Sequence, residues 1–123
     1  MAWSEYARNG IVDSITRNKP FVVPMLAGQL HDGAAGSAGT TNPVDVEEDR
    51  SQITAAEAVD GVGLNTGADA TWVSEEATTI TEMSFHDATT AGNFLVSEKL
   101  DQPVTVADGD TIALATFRIE MDD

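Results

Sequence analysis

Two histidines in the 123-residue chain are each followed by an aspartate, His31-Asp32 and His86-Asp87, and these are its first candidates for chemistry. A metal-dependent phosphohydrolase built on such pairs needs further histidines, and the chain has none. No Gly-x-Ser-x-Gly elbow nominates a serine nucleophile to go with them. Both histidines are therefore expected at the surface or in turns. The carboxylate pairs Glu47-Glu48, Glu75-Glu76 and Asp122-Asp123 carry little signal, because 21 acids in so short a chain make neighbours inevitable. Asp108-Gly109-Asp110 opens like a calcium loop, but Ile112 and Ile119 stand where that loop needs oxygen ligands. It reads as a β-turn with Gly109 at positive φ. The glycines at 33–39 and 61–63 lack the strand-before, helix-after setting of a phosphate cradle. With no cysteine, thiol catalysis, disulfides and cysteine-held zinc are excluded. The expectation is a protein that is not an enzyme and has no cofactor, beyond cations drawn from concentrated salt.

The charge balance narrows the partners. Six basic residues face 21 acidic ones, a formal charge of −15. Such a surface repels nucleic acid and anionic membranes, so neither is an expected partner. No apolar run approaches the roughly 18 residues that span a bilayer, and the N-terminus lacks a basic-then-apolar pattern. Delivery inside an assembly released by lysis is the expected route outward. Self-repulsion at −15 is costly in dilute buffer and mostly vanishes at molar salt, where the Debye length is about 3 Å. The composition is that of a halophilic protein, such as those of haloarchaea and their viruses. A 41% apolar share supports a folded core, but 6% aromatics make that core thin. Thin cores in short chains are commonly completed by oligomerisation.

The elements follow from periodicity. Residues 3–18 read as one amphipathic helix, with Trp3, Ala7, Ile11 and Ile15 on a single stripe and a stop at Asn18-Lys19-Pro20. That stripe is the candidate oligomer or lattice contact, unless it packs on its own sandwich. Gly10 weakens the helix, which then needs tertiary support. From residue 21 the period changes to 2. Phe21 to Leu30 is an extended run, and 31–43 is a Gly/Ala-rich loop, either mobile or draped on a neighbour. Strands are expected over 50–59 and 69–74. Thr79 to His86 alternates, with Ile80, Glu82, Ser84 and His86 on one face. Residues 87–93 form a turn, Phe94 to Leu100 returns, Asp101-Gln102-Pro103 turns again, and a closing strand over 111–121 carries a bulge near Ala115-Thr116. The architecture is mainly β: a single domain over 1–123, with one N-terminal amphipathic helix (3–18) and an antiparallel, jelly-roll-like β-sandwich (21–123).

The run Thr79 to Leu95, with Phe85, Asp87-Ala88, a Thr-rich turn, Gly92-Asn93 and Leu95, resembles a motif of small structural proteins of tailed viruses. Pro103 to Val106 and Gly109-Asp110 continue the likeness, which covers most of the chain in order and is most specific over 79–112. The resemblance implies a jelly-roll-like sandwich, no catalysis and a place in the virion. Proteins of this kind serve as capsid decoration, turret or tail-associated parts. The leading expectation is therefore a capsid decoration or turret subunit on the head of a halophilic tailed virus. As a homo-oligomer it would contact other virion proteins such as the major capsid protein. The runner-up is a tail or baseplate component, and a third reading is a module whose loops bind the host cell surface.

Overall fold

The computed structural model describes residues 1–65, 70–114 and 118–120. Its fold is mainly β, with antiparallel sheets and one N-terminal helix, as the residue pattern predicts. The elements run β1 (Ala2–Trp3), α1 (Glu5–Thr16), β2 (Leu26–His31), β3 (Arg50–Ile53), β4 (Val62–Leu64), β5 (Ala70–Val73), β6 (Thr78–His86), β7 (Phe94–Val106), β8 (Thr111–Leu114) and β9 (Arg118–Glu120). A five-stranded sheet takes the order β1-β7-β6-β2-β3, while β4 pairs with β9 and β5 with β8.

The helix is shorter than the apolar stripe predicts, because Ser4 caps it. The Ser4 hydroxyl accepts the Ala7 N–H at 3.0 Å, and a capping residue cannot itself be helical. Trp3 is thereby pushed out of the helix into β1, opposite Val96. The other end stops at Thr16, and Asn18 adopts φ 54°, a left-handed conformation that asparagine tolerates. The tertiary support that Gly10 calls for comes from Phe21, whose ring packs on α1 there and against Tyr6 at 5.6 Å.

Two strands are irregular in ways that alternation alone misses. β6 and β7 pair Glu82 with Lys99 but Ile80 with Val104, so one residue of β6 opposes four of β7. The Asp101-Gln102-Pro103 signal does not end the strand; it forms a bulge within β7, where proline is tolerated at an unpaired position. The same irregularity shifts the parity of β6. Ile80 joins Met83 and Phe85 in the apolar core instead of sharing a face with Glu82, Ser84 and His86. Val62–Leu64 form β4, a strand that no alternation in the sequence marks. The expected bulge near Ala115-Thr116 lies outside the described residues.

One face of the five-stranded sheet is apolar. Leu30, Ile53, Met83, Phe85 and Val96 line it, and Trp72 of β5 closes over them, its indole N–H donating to the Gly28 carbonyl at 3.2 Å. The β5–β8 ribbon thus forms a second layer on this sheet, and burying one face of each is what stabilises a sheet pair. The opposite face is polar yet also buried, and that combination positions the candidate site.

Candidate functional site

Antiparallel register sets the polar face. β2 places Ala27 opposite His86, Gln29 opposite Ser84 and His31 opposite Glu82. His31, Ser84 and His86 therefore converge on one side of two neighbouring strands. The Ser84 hydroxyl lies 2.7 Å from His31 Nε2 and 2.8 Å from His86 Nε2. His31 Nδ1 lies 2.7 Å from the Thr41 carbonyl, which can only accept, so His31 carries its proton there. Its Nε2 is then an acceptor for the Ser84 O–H, and the same hydroxyl lies against His86 Nε2, whose ring also meets the Gly39 backbone.

The expectation of surface histidines is corrected by this geometry. His31 is 0% exposed, Ser84 0% and His86 1%. What covers them is the segment 32–43 of their own chain. It folds back across the polar face as a compact Ω-like loop. Ala35 N–H donates to Glu82 Oε2 at 3.0 Å, Thr41 N–H to the Ala35 carbonyl at 2.9 Å, and Val44 N–H to the Leu30 carbonyl at 3.0 Å. Gly39 lies against the Phe94 ring. Only Ala35 and Gly39 of the loop are buried, and larger side chains at those two positions would lift it off the sheet. His31 itself belongs to β2 rather than to the loop. An open cleft of about 310 Å³ remains at the loop edge, between Gly33, Ala34, Thr81, Glu82 and Lys99.

Burial sets the protonation of the pair. Desolvation lowers the His86 pKa to about 4, helped by the Arg50 charge and by the repulsion that a protonated His31 would exert, while the Gly39 backbone and Asp87 act the other way. Desolvation also lowers the His31 pKa, against the Thr41 carbonyl and Glu82. At neutral pH both rings are uncharged. A hydroxyl held between two neutral imidazoles has the makings of a nucleophile, but this one lies under the loop, where no substrate reaches it. Its work is to pin the loop.

The hairpin loop 87–93 is built by the residues that the sequence motif singles out. Asp87 clasps Asn93 twice, accepting its backbone N–H at 2.6 Å and its side-chain amide at 2.9 Å. Asp87 N–H donates back to the Asn93 carbonyl at 3.1 Å. Gly92 turns at φ 74°, and a Cβ there would lie 2.5 Å from Asp87 Oδ1, so no other residue fits. From β3, Arg50 donates to the Ala88 and Ala91 carbonyls at 3.0 and 2.6 Å, and to Gln29 Oε1 at 3.2 Å. Arg50 was not legible as a participant, since its partners lie 21 to 41 residues away. Burial acts to raise the Asp87 pKa, but the Asn93 hydrogen bonds outweigh it and hold the carboxyl below its ordinary value. Replacing Asp87 with alanine removes both bonds to Asn93 and is expected to cost about 2 kcal/mol. Urea unfolding of the D87A variant measures that cost, and faster exchange of the Asn93 amide locates it; an unchanged midpoint refutes the clasp.

The remaining singled-out residues fall into two groups. Phe85 and Leu95 are core, with Ala88 half-buried at the foot of the hairpin. Gly109 (φ 90°) and Asp110 form the expected turn, Asp110 Oδ2 accepting the Ala107 N–H at 2.8 Å. The proposed contact stripe splits. Trp3 sits in a strand, Ala7 is 1% exposed within its own chain, Ile11 is half-buried, and only Ile15, at 79%, stands clear.

Residues 2–122 match the family described as podophage GP4 fiber I protein gp80. The chain belongs to that family. It is a virion component, and its role is structural, in association with other virion proteins. The gp80 description names a fibre, and it names neither a capsid decoration protein nor a turret. No curated protein matches the chain. Beside the gp80 match, the geometry is coherent: the polar groups best suited to chemistry are bound to one another, and they brace two loops.

Proposed function

We propose that this chain is a repeating structural subunit of a fibre on a tailed virus that lives in concentrated salt, and that it works by contact. The match over residues 2–122 to a podophage fibre family carries the reading. It favours the tail or baseplate alternative over a head decoration or turret, for which no observation speaks. The two-layer body, read as a jelly-roll-like sandwich in one domain, would be a rigid brick whose exposed loops and helix meet companion copies. The acidity, 21 acids against 6 bases, supports a haloarchaeal setting, with loosely held salt cations as its only cofactors.

Fractionating virions tests the location. The protein should follow isolated tails and fibres in a few copies per particle. Hundreds of copies on empty capsid shells would overturn the fibre reading. Salt tests the setting: diluting the purified protein from molar to tenth-molar salt should abolish its compact structure by circular dichroism and sedimentation. A protein indifferent to that dilution is not adapted to brine.

A further inference from the structure

The cover over the polar face is shaped by its own bonds. Within segment 32–43, Asp32 N–H donates to the Asn42 carbonyl at 3.1 Å, Gly39 N–H to the Gly36 carbonyl at 3.2 Å and Thr41 N–H to the Ala35 carbonyl at 2.9 Å. The Asn42 side-chain amide donates to the Ala34 carbonyl at 3.1 Å. The Asp32–Asn42 bond closes the base, and just beyond it Val44 N–H is anchored on the Leu30 carbonyl at 3.0 Å. The two buried members, Ala35 and Gly39, bring little apolar surface to the sheet. What ties them down is polar: Ala35 N–H on Glu82, the Thr41 carbonyl on His31, and the Gly39 backbone on His86. Two of these ties end on imidazoles.

The closed geometry leaves no room for added protons. His31 Nε2 and His86 Nε2 face the same Ser84 hydroxyl, at 2.7 and 2.8 Å. Protonating both rings would aim two N–H donors at one oxygen and leave the Ser84 proton without an acceptor. Two like charges would then flank that oxygen in a site from which water is excluded. Arg50 from β3 and Asp87 from the hairpin also act on His86, and β7 presents it with the Phe94 ring at 5.5 Å. Glu82 from β6 and Asp32 from the segment itself act on His31. Burial outweighs these carboxylates at both rings. Hydrated imidazoles, by contrast, take up protons near pH 6.5.

We propose that segment 32–43 is an acid-released lid: as His31 and His86 take up protons, it lifts as a unit about its Asp32–Asn42 base while both sheets stay folded. The sheets hold because their stability comes from the strand ladders and from the apolar core on the opposite face, closed by Trp72. The open form binds more protons than the closed one, so opening is favoured as the pH falls below about 6.5 and is indifferent to pH well above it. Opening extends the cleft at Gly33, Ala34 and Thr81 into the polar face. The register sets His31, Glu82 and Lys99 in a row there. Two imidazolium groups joining Lys99 give a positive surface to a chain whose net charge is −15. The lid is a property of the single chain and does not depend on the fibre reading.

Amide hydrogen exchange of the full chain in molar salt tests the lid. Lifting breaks the Ala35 bond to Glu82, so Ala35 N–H reports it directly. Its opening constant, corrected for intrinsic exchange, should rise at least about tenfold from pH 7 to pH 5. It should hardly respond to dilute urea, because lifting a lid exposes little surface. Amides of the β6–β7 ladder should exchange more slowly and respond steeply to urea, since they open only with the whole domain. In a His31→Gln/His86→Gln variant the pH response of Ala35 should vanish; if that variant does not fold, the wild-type comparison decides alone. Three outcomes overturn the inference: an Ala35 opening constant equal at pH 7 and pH 5, one that follows urea as steeply as the ladder, or a pH response that survives the loss of both histidines.

Discussion

Taking the protein from pH 7 to pH 4 in molar salt is expected to lower its unfolding free energy by about 3 kcal/mol, nearly all of it below pH 6.5. An unfolded histidine gains its proton near pH 6.5, whereas folded His86 resists until about pH 4. Across that window the unfolded chain binds more protons than the folded one, so stability falls as acid is added. Above pH 6.5 both states are uncharged at this site and the effect is absent. His31 acts in the same direction, since burial lowers its pKa too. The Asp87 carboxyl, held below its ordinary value, withdraws its share only as the pH falls below about 4. Molar salt matters to the design, because it screens the carboxylate repulsion that acid would otherwise relieve. Urea titrations at pH 7, 6, 5 and 4, followed by tryptophan fluorescence, measure the slope. His86→Gln should remove more than half of it. A wild-type protein equally stable at pH 7 and pH 4 would show that the histidines are not desolvated as described.

The second large effect is in the other layer. Trp72→Ala should cost about 4 kcal/mol, near the upper range for a large core residue. The indole is 2% exposed and joins the β5–β8 ribbon to the five-stranded sheet. Residue 28 lies beneath it in a crowded spot, where a Cβ would come 2.9 Å from Ile53 Cδ1 and 3.2 Å from Met83 Cε. Removing the ring empties the space between layers and leaves the Gly28 carbonyl without its donor. A domain of this size has a total stability of about 5–15 kcal/mol, so the variant should be partly unfolded at room temperature. Trp72→Phe keeps most of the packing and should cost less than half as much. The measurement is the shift of the urea midpoint, with faster amide exchange at Ala70–Val73. A loss under about 1 kcal/mol would mean that the ribbon does not share the core.

Much of this was legible in local sequence. Asp87, Gly92 and Asn93 announce their hairpin because each acts within seven residues: a carboxylate reaches forward to two N–H groups, and a glycine takes the positive φ. Asp108-Gly109-Asp110 is readable for the same reason. Ser84 and His86, two apart on one strand, were already on a common face. Their partner His31 was not readable, because it lies 53 residues from Ser84 and meets it only through the β2–β6 register. The loop that hides all three looked mobile, since its small residues say nothing about what they lie against.

Composition and local pattern alone determined the charge of −15, the absence of thiol chemistry, the β-rich class, the single early helix and the turn at 87–93. Tertiary structure decided which polar residues became interior, which face of α1 stayed open, and that Asp101-Gln102-Pro103 would bulge instead of turning back. The division has one physical cause. Turns and caps are satisfied by backbone groups a few residues away, whereas strand register and layer packing are fixed by partners that only the folded chain brings together.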